Sequence, residues 1–250
     1  MNILYTFLTL FVCIILGYIF GSIPSGVIIG KLHGIDISEY GSHNTGGTNV
    51  GRTLGKKAGI TTMALDMLKC IIPLNIALLI FSFSPLLNYL IDYRCLKELL
   101  INVVALSVLL GHTFPLFNHF QGGKAVASFA GYMIFISPAL CVIGCICFFT
   151  ILHLKHRVSL ASIISVPIVF ISSLVPMILD FTVLNDINMY DGGIYITSCY
   201  MVHISYLTCI AILLSTCLIV YRHKANIKRI QQGIEPETHF QNIINKEKEN

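Results

Sequence analysis

Six stretches of the chain carry no Asp, Glu, Lys or Arg: Met1 to Gly30, Cys70 to Ile91, Leu99 to Gly123, Ala125 to Leu152, Val158 to Leu179 and Gly192 to Tyr221. Crossing a hydrocarbon core of about 30 Å takes about 20 apolar helical residues, and each stretch is long enough. Their apolar residues run continuously, unlike the alternating strands of about ten residues that build outer-membrane barrels. The pattern predicts helices near 4–29, 59–83, 96–116, 124–136, 138–154, 158–179 and 199–221. The run 125–152 is divided because its length amounts to about 42 Å of helix and Ser137-Pro138 interrupts it. The first run lacks a basic start and is longer than a signal-peptide core, so it reads as a retained helix. The expectation is an all-α, polytopic integral membrane bundle of about seven transmembrane helices. Residues 1–235 form one membrane-embedded domain and 236–250 a polar tail.

Composition agrees. Of 250 residues, 55% are hydrophobic and only 11% charged, with a mean hydropathy of +0.80. A soluble domain carries about 25% charged residues, so a water-soluble globule, a disordered chain and a nucleic-acid-binding module are all excluded. The net charge of +4 is small, and its distribution says more. With the N-terminus outside, the predicted helices put Lys31, Arg52, Lys56, Lys57, Lys124, Lys155, Arg157, Arg222, Lys224, Lys228, Arg229, Lys246 and Lys248 on one side. Arg94 and Lys97 fall on the other, and the loop near 180–198 holds Asp180, Asp186 and Asp191 without a base. Basic loops stay cytoplasmic, so the expected location is the cell (plasma) membrane, multi-pass, with the C-terminus cytoplasmic. Cys13, Cys70, Cys141, Cys145, Cys147, Cys209 and Cys217 lie in apolar runs, with no CxxC and no metal-type Cys/His spacing in the chain, and read as packing residues.

Four polar patches reach the cytoplasmic face in this topology. Gly41 to Arg52 is rich in glycine, hydroxyls and amides and ends in a guanidinium, the donors that gather on phosphate oxygens; the alternative is a flexible polar loop. Gly111 to Lys124 ends in Gly-Gly-Lys before a helix, a plausible phosphate cradle, or else a turn followed by a snorkelling lysine. Phe114, Phe117 and Phe120 read as an interfacial belt. His156 to Ser162 offers Ser159, a helix cap or a ligand donor. Tyr221 to Glu235 sets His223 and Asn226 on one helical face, or simply anchors a final span. Asp66 and Lys69, i and i+3 in the second helix, read as a neutralised structural pair, and His203 as a buried hydrogen-bonding residue. Carboxylates are nearly absent from the four patches, which argues against a carboxylate–His base dyad and against a magnesium site.

These motifs resemble the bacterial membrane acyl-phosphate:glycerol-3-phosphate acyltransferases. The matching elements are GSIPxG at Gly21–Gly26, GSxNxGxTNxxR at Gly41–Arg52, DxxK at Asp66 and Lys69, GHxFPxFxxFxGGK at Gly111–Lys124, VSLxS from Val158, and HxxNIxRxxxGxE at His223–Glu235. The resemblance implies acyl transfer from acyl phosphate to the sn-1 hydroxyl of glycerol 3-phosphate. The products are lysophosphatidate (1-acyl-glycerol 3-phosphate) and inorganic phosphate, as the first step of phospholipid synthesis. By motif position it implies Ser42, Asn49, Arg52, Lys124, His223 and Asn226 as catalytic residues. Arg52 and Lys124 would hold phosphate with Ser42 and Ser159 donating, and Gly122 and Gly123 would form the glycerol-phosphate loop. Asp66, Lys69 and Glu235 would be structural. No cofactor and no metal are implied. The implied partners are the two substrates, membrane lipids and the soluble enzyme that makes acyl phosphate, with no nucleic acid. Against the family pattern, His43 and Ala125 stand where glycine is common, Gly47 replaces Ala, Cys70 replaces Gly and Gln121 replaces Lys. Ala125 falls where a positive φ would favour glycine. The rival reading, a transporter of phosphorylated solutes, lacks the internal repeat such folds show.

Overall fold

Proline decides where the first apolar stretch divides. In the computed structural model, which describes residues 2–82, 93–183 and 204–237, the helix expected over 4–29 is interrupted into α1 (Asn2–Gly21) and α2 (Ser25–Leu32). Pro24 has no N–H and pushes Ile23 out of helical backbone. The Ile23 carbonyl, left without its helical partner, accepts instead from Lys69 Nζ at 2.9 Å. That lysine also pairs with Asp66 Oδ1 at 2.9 Å, and His112 Nδ1 approaches the same oxygen at 3.5 Å.

The glycine-rich patch is only partly a loop. Its second half forms α3 (Gly47–Leu54), and Gly55, at φ 95°, turns the chain into α4 (Lys56–Ser82). The two cross closely, since a Cβ on Gly59 would meet the Gly51 backbone. Next come α5 (Tyr93–Thr113), α6 (Val126–Ile136) and α7 (Pro138–Lys155). Ser137 and Pro138 divide α6 from α7 as their chemistry predicts: Ser137 is extended and caps Leu140 N, and Pro138 takes the first helical position. The rest is α8 (Val158–Val183), α9 (Tyr206–Arg222), capped by Ser205 on Thr208 N, and α10 (Lys224–Gln231). All regular structure among the described residues is helical.

Five helical segments are long and apolar enough to cross a membrane: Thr6–Leu32, Lys56–Phe81, Leu96–Asn118, Pro138–Lys155 and Val158–Ile178. Tyr206–Arg222 with Lys224–Gln231, bent by 56°, makes a sixth if counted as one span. The expected helix over 124–136 forms, but its 11 residues extend only about 16 Å. Of the predicted seven, therefore, five or six have the length of a crossing. The expected start of the last helix at 199, His203, Asp186, Asp191 and the tail beyond Glu237 lie outside the described residues.

Close approach holds the bundle together. Gly17 and Gly21 on α1 and Gly111 on α5 face the other helix's backbone, at Val104, Val108 and Tyr18, the small-residue spacing by which apolar helices pack. A buried polar bolt joins three helices: the Tyr132 hydroxyl donates to Asn102 Oδ1, and Asn102 Nδ2 donates to Thr208 Oγ1 at 3.1 Å. Cys13, Cys70, Cys141, Cys145, Cys147, Cys209 and Cys217 are free, and no group of three His, Cys, Asp or Glu side chains among the described residues could hold a metal.

Candidate active site

The site begins with an asparagine that orders a loop. Asn49, on the first turn of α3, accepts from Ser42 N at 2.8 Å and Ser42 Oγ at 3.2 Å through Oδ1. Its Nδ2 donates to the Ile37 and Tyr40 carbonyls at 3.2 and 2.9 Å. The amide is thus committed to bracing 37–42, and Ser42 is what the brace presents. His43 follows at φ 56°, left-handed backbone that favours glycine. One turn along α3, Arg52 donates from Nη2 to the Pro236 carbonyl at 3.3 Å, and its Nε has no hydrogen-bond partner among the described residues.

A second group gathers from the turn before α6, the start of α8 and the segment from the end of α9 through α10 to Glu235. Lys124 Nζ donates to Asn226 Oδ1 at 2.6 Å. Asn226 Nδ2 donates to Glu235 Oε1 at 2.7 Å, and Ser159 Oγ donates to the same oxygen. Glu235 Oε2 pairs with Arg229 Nε at 2.7 Å. His223 shares its Nδ1 with the Ile219 carbonyl at 2.8 Å. A carbonyl only accepts, so Nδ1 carries the hydrogen and Nε2 remains an acceptor.

Ser42, Asn49, Arg52, Lys124, Ser159, His223, Asn226 and Glu235 all line one cavity of about 320 Å³. Its opposite wall is apolar, formed by Phe129, Met133, Phe148, Val166 and Val169 of α6, α7 and α8 among others. A space with a cationic, amide-rich end and an oily arm accepts an amphiphile whose head is an anion.

The charges reflect this setting. Burial pushes the Lys124 ammonium down to about 8, against the opposing pull of Glu235 and with help from Arg229, Arg52 and Arg222. Burial also lowers Arg52, while Glu235 raises it; a guanidinium stays charged regardless. For Glu235 burial works against the charge, but hydrogen bonds from Ser159, Asn226 and Arg229 hold it below the usual carboxylate range.

Three placements differ from the sequence reading. Gly122 and Gly123 do not line this cavity; they face a smaller recess shared with Pro24, Lys69 and His112. The Gly123 N–H, expected to be free for an anion, donates to the His112 carbonyl at 3.1 Å. Carboxylates are also present after all, since Asp66 and Glu235 both line the main cavity. They were invisible as a pair because they sit on distant segments, and both are matched to cations. His112 lines the cavity too, beside Asp66; its place inside the GHxFP motif was the one signal in the sequence. Ala125, at φ 61°, takes up the left-handed backbone its position calls for.

Residues 11–233 match the family model described as glycerol-3-phosphate acyltransferase. A glycerol-3-phosphate acyltransferase of Bacillus velezensis is 40% identical over 226 residues, covering 90% of this chain and 95% of that protein. One of Enterococcus faecalis is 39% identical over 230 residues, 92% of each. The crystal structure of PlsY (YgiH), an integral membrane glycerol 3-phosphate acyltransferase, in its glycerol 3-phosphate form, superposes with a TM-score of 0.72 at 30% identity over 92% of this chain and 96% of that one. A second structure of the same protein, in its lysophosphatidic acid form, gives 0.69 at 31% identity, covering 91% of this chain and 94% of that one. On this agreement of sequence and architecture, the chain belongs to the glycerol-3-phosphate acyltransferase family.

Proposed function

We propose that the enzyme is a multi-pass protein of the cell membrane that draws its acyl group from an acyl phosphate, at a site facing the cytoplasm. The sn-1 hydroxyl of glycerol 3-phosphate attacks the acyl carbon; the new C–O ester bond forms as the acyl–phosphate C–O bond breaks. The hydroxyl proton leaves with inorganic phosphate, and the other product is lysophosphatidate. The observation that carries the reading is the single cavity in which donors from four separated segments face an apolar wall. The two PlsY structures, in a glycerol 3-phosphate form and a lysophosphatidic acid form, support this choice of acceptor and product.

Arg52 and Lys124 neutralise phosphate, and Ser42 and Ser159 donate to it. Asn49 acts through Ser42, and Asn226 aims Lys124. His223 Nε2 orients the attacking hydroxyl. Burial first, and the Lys124 charge after it, lower His223's affinity for a proton, so a substrate phosphate is the better acceptor. An acyl phosphate is already a mixed anhydride, so positioning and charge neutralisation supply most of the acceleration. Glu235 accepts from Ser159 and Asn226, bracing α10 against α8. Asp66 and Lys69 brace the break at Ile23.

The test is purified protein in detergent or lipid with palmitoyl phosphate and glycerol 3-phosphate, following phosphate and lysophosphatidate together. Equal release of both is expected. Equal turnover with acyl-CoA as donor, or no acyl product from folded protein, would overturn the donor assignment.

A further inference from the structure

Arg222 ends α9 one residue before His223 and stays outside the cavity wall. Its guanidinium reaches the back of the Gly122-Gly123 turn instead. Nη2 donates to the Gly122 carbonyl at 3.0 Å and Nε to the Gly123 carbonyl at 3.3 Å, while the guanidinium carbon lies 5.3 Å from the centre of the Phe114 ring. The Phe114 carbonyl in turn accepts from the Tyr18 hydroxyl of α1 at 2.7 Å. On the other side of the turn the Gly123 N–H meets the His112 carbonyl at 3.1 Å. A Cβ on either glycine would collide with His112. The turn is held between the end of α9 and the end of α5.

The segment needs holding. His119, Phe120 and Ala125 stand at φ 49°, 59° and 61°, left-handed backbone that non-glycine residues keep only where the surroundings enforce it. Lys124 lies inside this strained stretch, and its ammonium must meet Asn226 at 2.6 Å. Two carbonyls side by side suit the planar fork of an arginine and not the point charge of a lysine. We propose that Arg222 is a positioning residue for acyl transfer, which by gripping the Gly122 and Gly123 carbonyls and stacking on Phe114 holds Lys124 in register with Asn226 and His223. The role rests on the acyl-transfer reading above.

The experiment compares palmitoyl transfer to glycerol 3-phosphate by the wild type, Arg222→Lys, Ala125→Gly and the double variant. Arg222→Lys keeps the charge and loses the fork, and is expected to lower kcat/KM for glycerol 3-phosphate about tenfold or more. Ala125→Gly relieves the strained residue next to Lys124, so the double variant is expected to recover to within about threefold of Ala125→Gly alone. Arg222→Lys within about threefold of wild type, or a loss that Ala125→Gly does not relieve, overturns the proposal. A wild type that makes no lysophosphatidate overturns the acyl-phosphate reading instead, so the two failures are distinct. Should Arg222→Lys fail to fold, Phe114→Leu carries the test: a loss of about threefold to tenfold with the same relief is expected, and full activity or an unrelieved loss overturns the proposal.

Discussion

Lys124 carries the most chemistry of any one side chain. Burial and three arginines hold its ammonium near 8, so in the free enzyme it loses its charge as pH rises past that value. The protonated form binds phosphate; kcat/KM for glycerol 3-phosphate is therefore expected to fall on the alkaline side, with a limb near pH 8. A bound dianion favours the charged form, so the corresponding limb in kcat lies higher. Lys124→Arg removes the limb from kcat/KM, since a guanidinium does not titrate in this range. A pH profile unchanged by that substitution separates the limb from Lys124. Lys124→Ala and Arg52→Ala are each expected to cost about 100-fold in turnover while the purified proteins remain folded, checked by monodispersity in detergent. Normal kinetics in either variant removes that residue from the site.

How much of the site the sequence disclosed depends on the kind of interaction. Residues that act through identity and spacing, such as Ser42, Arg52, Lys124 and His223, stand out because they fall in polar patches, outside the charge-free runs. Contacts made by backbone were hidden: nothing in Gly122-Gly123 foretold that the N–H of one would be taken by His112. Arg222 shows in the sequence only as one basic residue of the Tyr221–Glu235 patch, because its acceptors are carbonyls about a hundred positions earlier. The Asp66–His112 approach likewise joins two helices and leaves no spacing to read.

At the scale of elements, the same lesson applies to helix ends. The Ser137-Pro138 boundary was legible because proline and a capping serine act within four residues. The interruption at Ile23 was not, although Pro24 is equally plain, because the apolar run continues through it and its stability depends on Lys69 reaching across from α4. Packing of α1 on α5 makes a further prediction. A side chain at Gly21 would run into the backbone of Val108, and backbone cannot step aside as a rotamer can. Gly21→Val is expected to destabilise by about 2–3 kcal/mol, read as a lower melting temperature in detergent; an unchanged value shows that the two helices do not touch there. The start of α6 predicts the opposite sign. Ala125→Gly relieves a left-handed residue at the helix cap and is expected to add about 1 kcal/mol of stability, read as a higher melting temperature.

For the whole molecule, the decisive matter is sidedness. The cavity closes only if the loop of Ser42, the turn before Lys124, the α7–α8 junction and the end of α9 meet at one face, and in the structure they do. Helices of this length then fix the other face: Tyr206 starts the 17-residue α9 that ends at Arg222, so the two ends lie about 25 Å apart. Basic residues crowd the cavity end, and basic loops stay cytoplasmic; the proposed topology with that end facing the cytoplasm makes a direct prediction. Cysteines placed at the exposed positions Glu39, His119 and Lys155 are therefore expected to resist a membrane-impermeant maleimide in sealed right-side-out vesicles and to react once the vesicles are opened. A cysteine at Tyr206 is expected to react in both, with the unsubstituted protein as the background for Cys145 and Cys217, which are exposed on the apolar flanks. Reaction of Glu39→Cys and His119→Cys from opposite sides would separate the loop of Ser42 from that of Lys124. No shared phosphate site could survive that result, because the groups it joins would lie a bilayer apart.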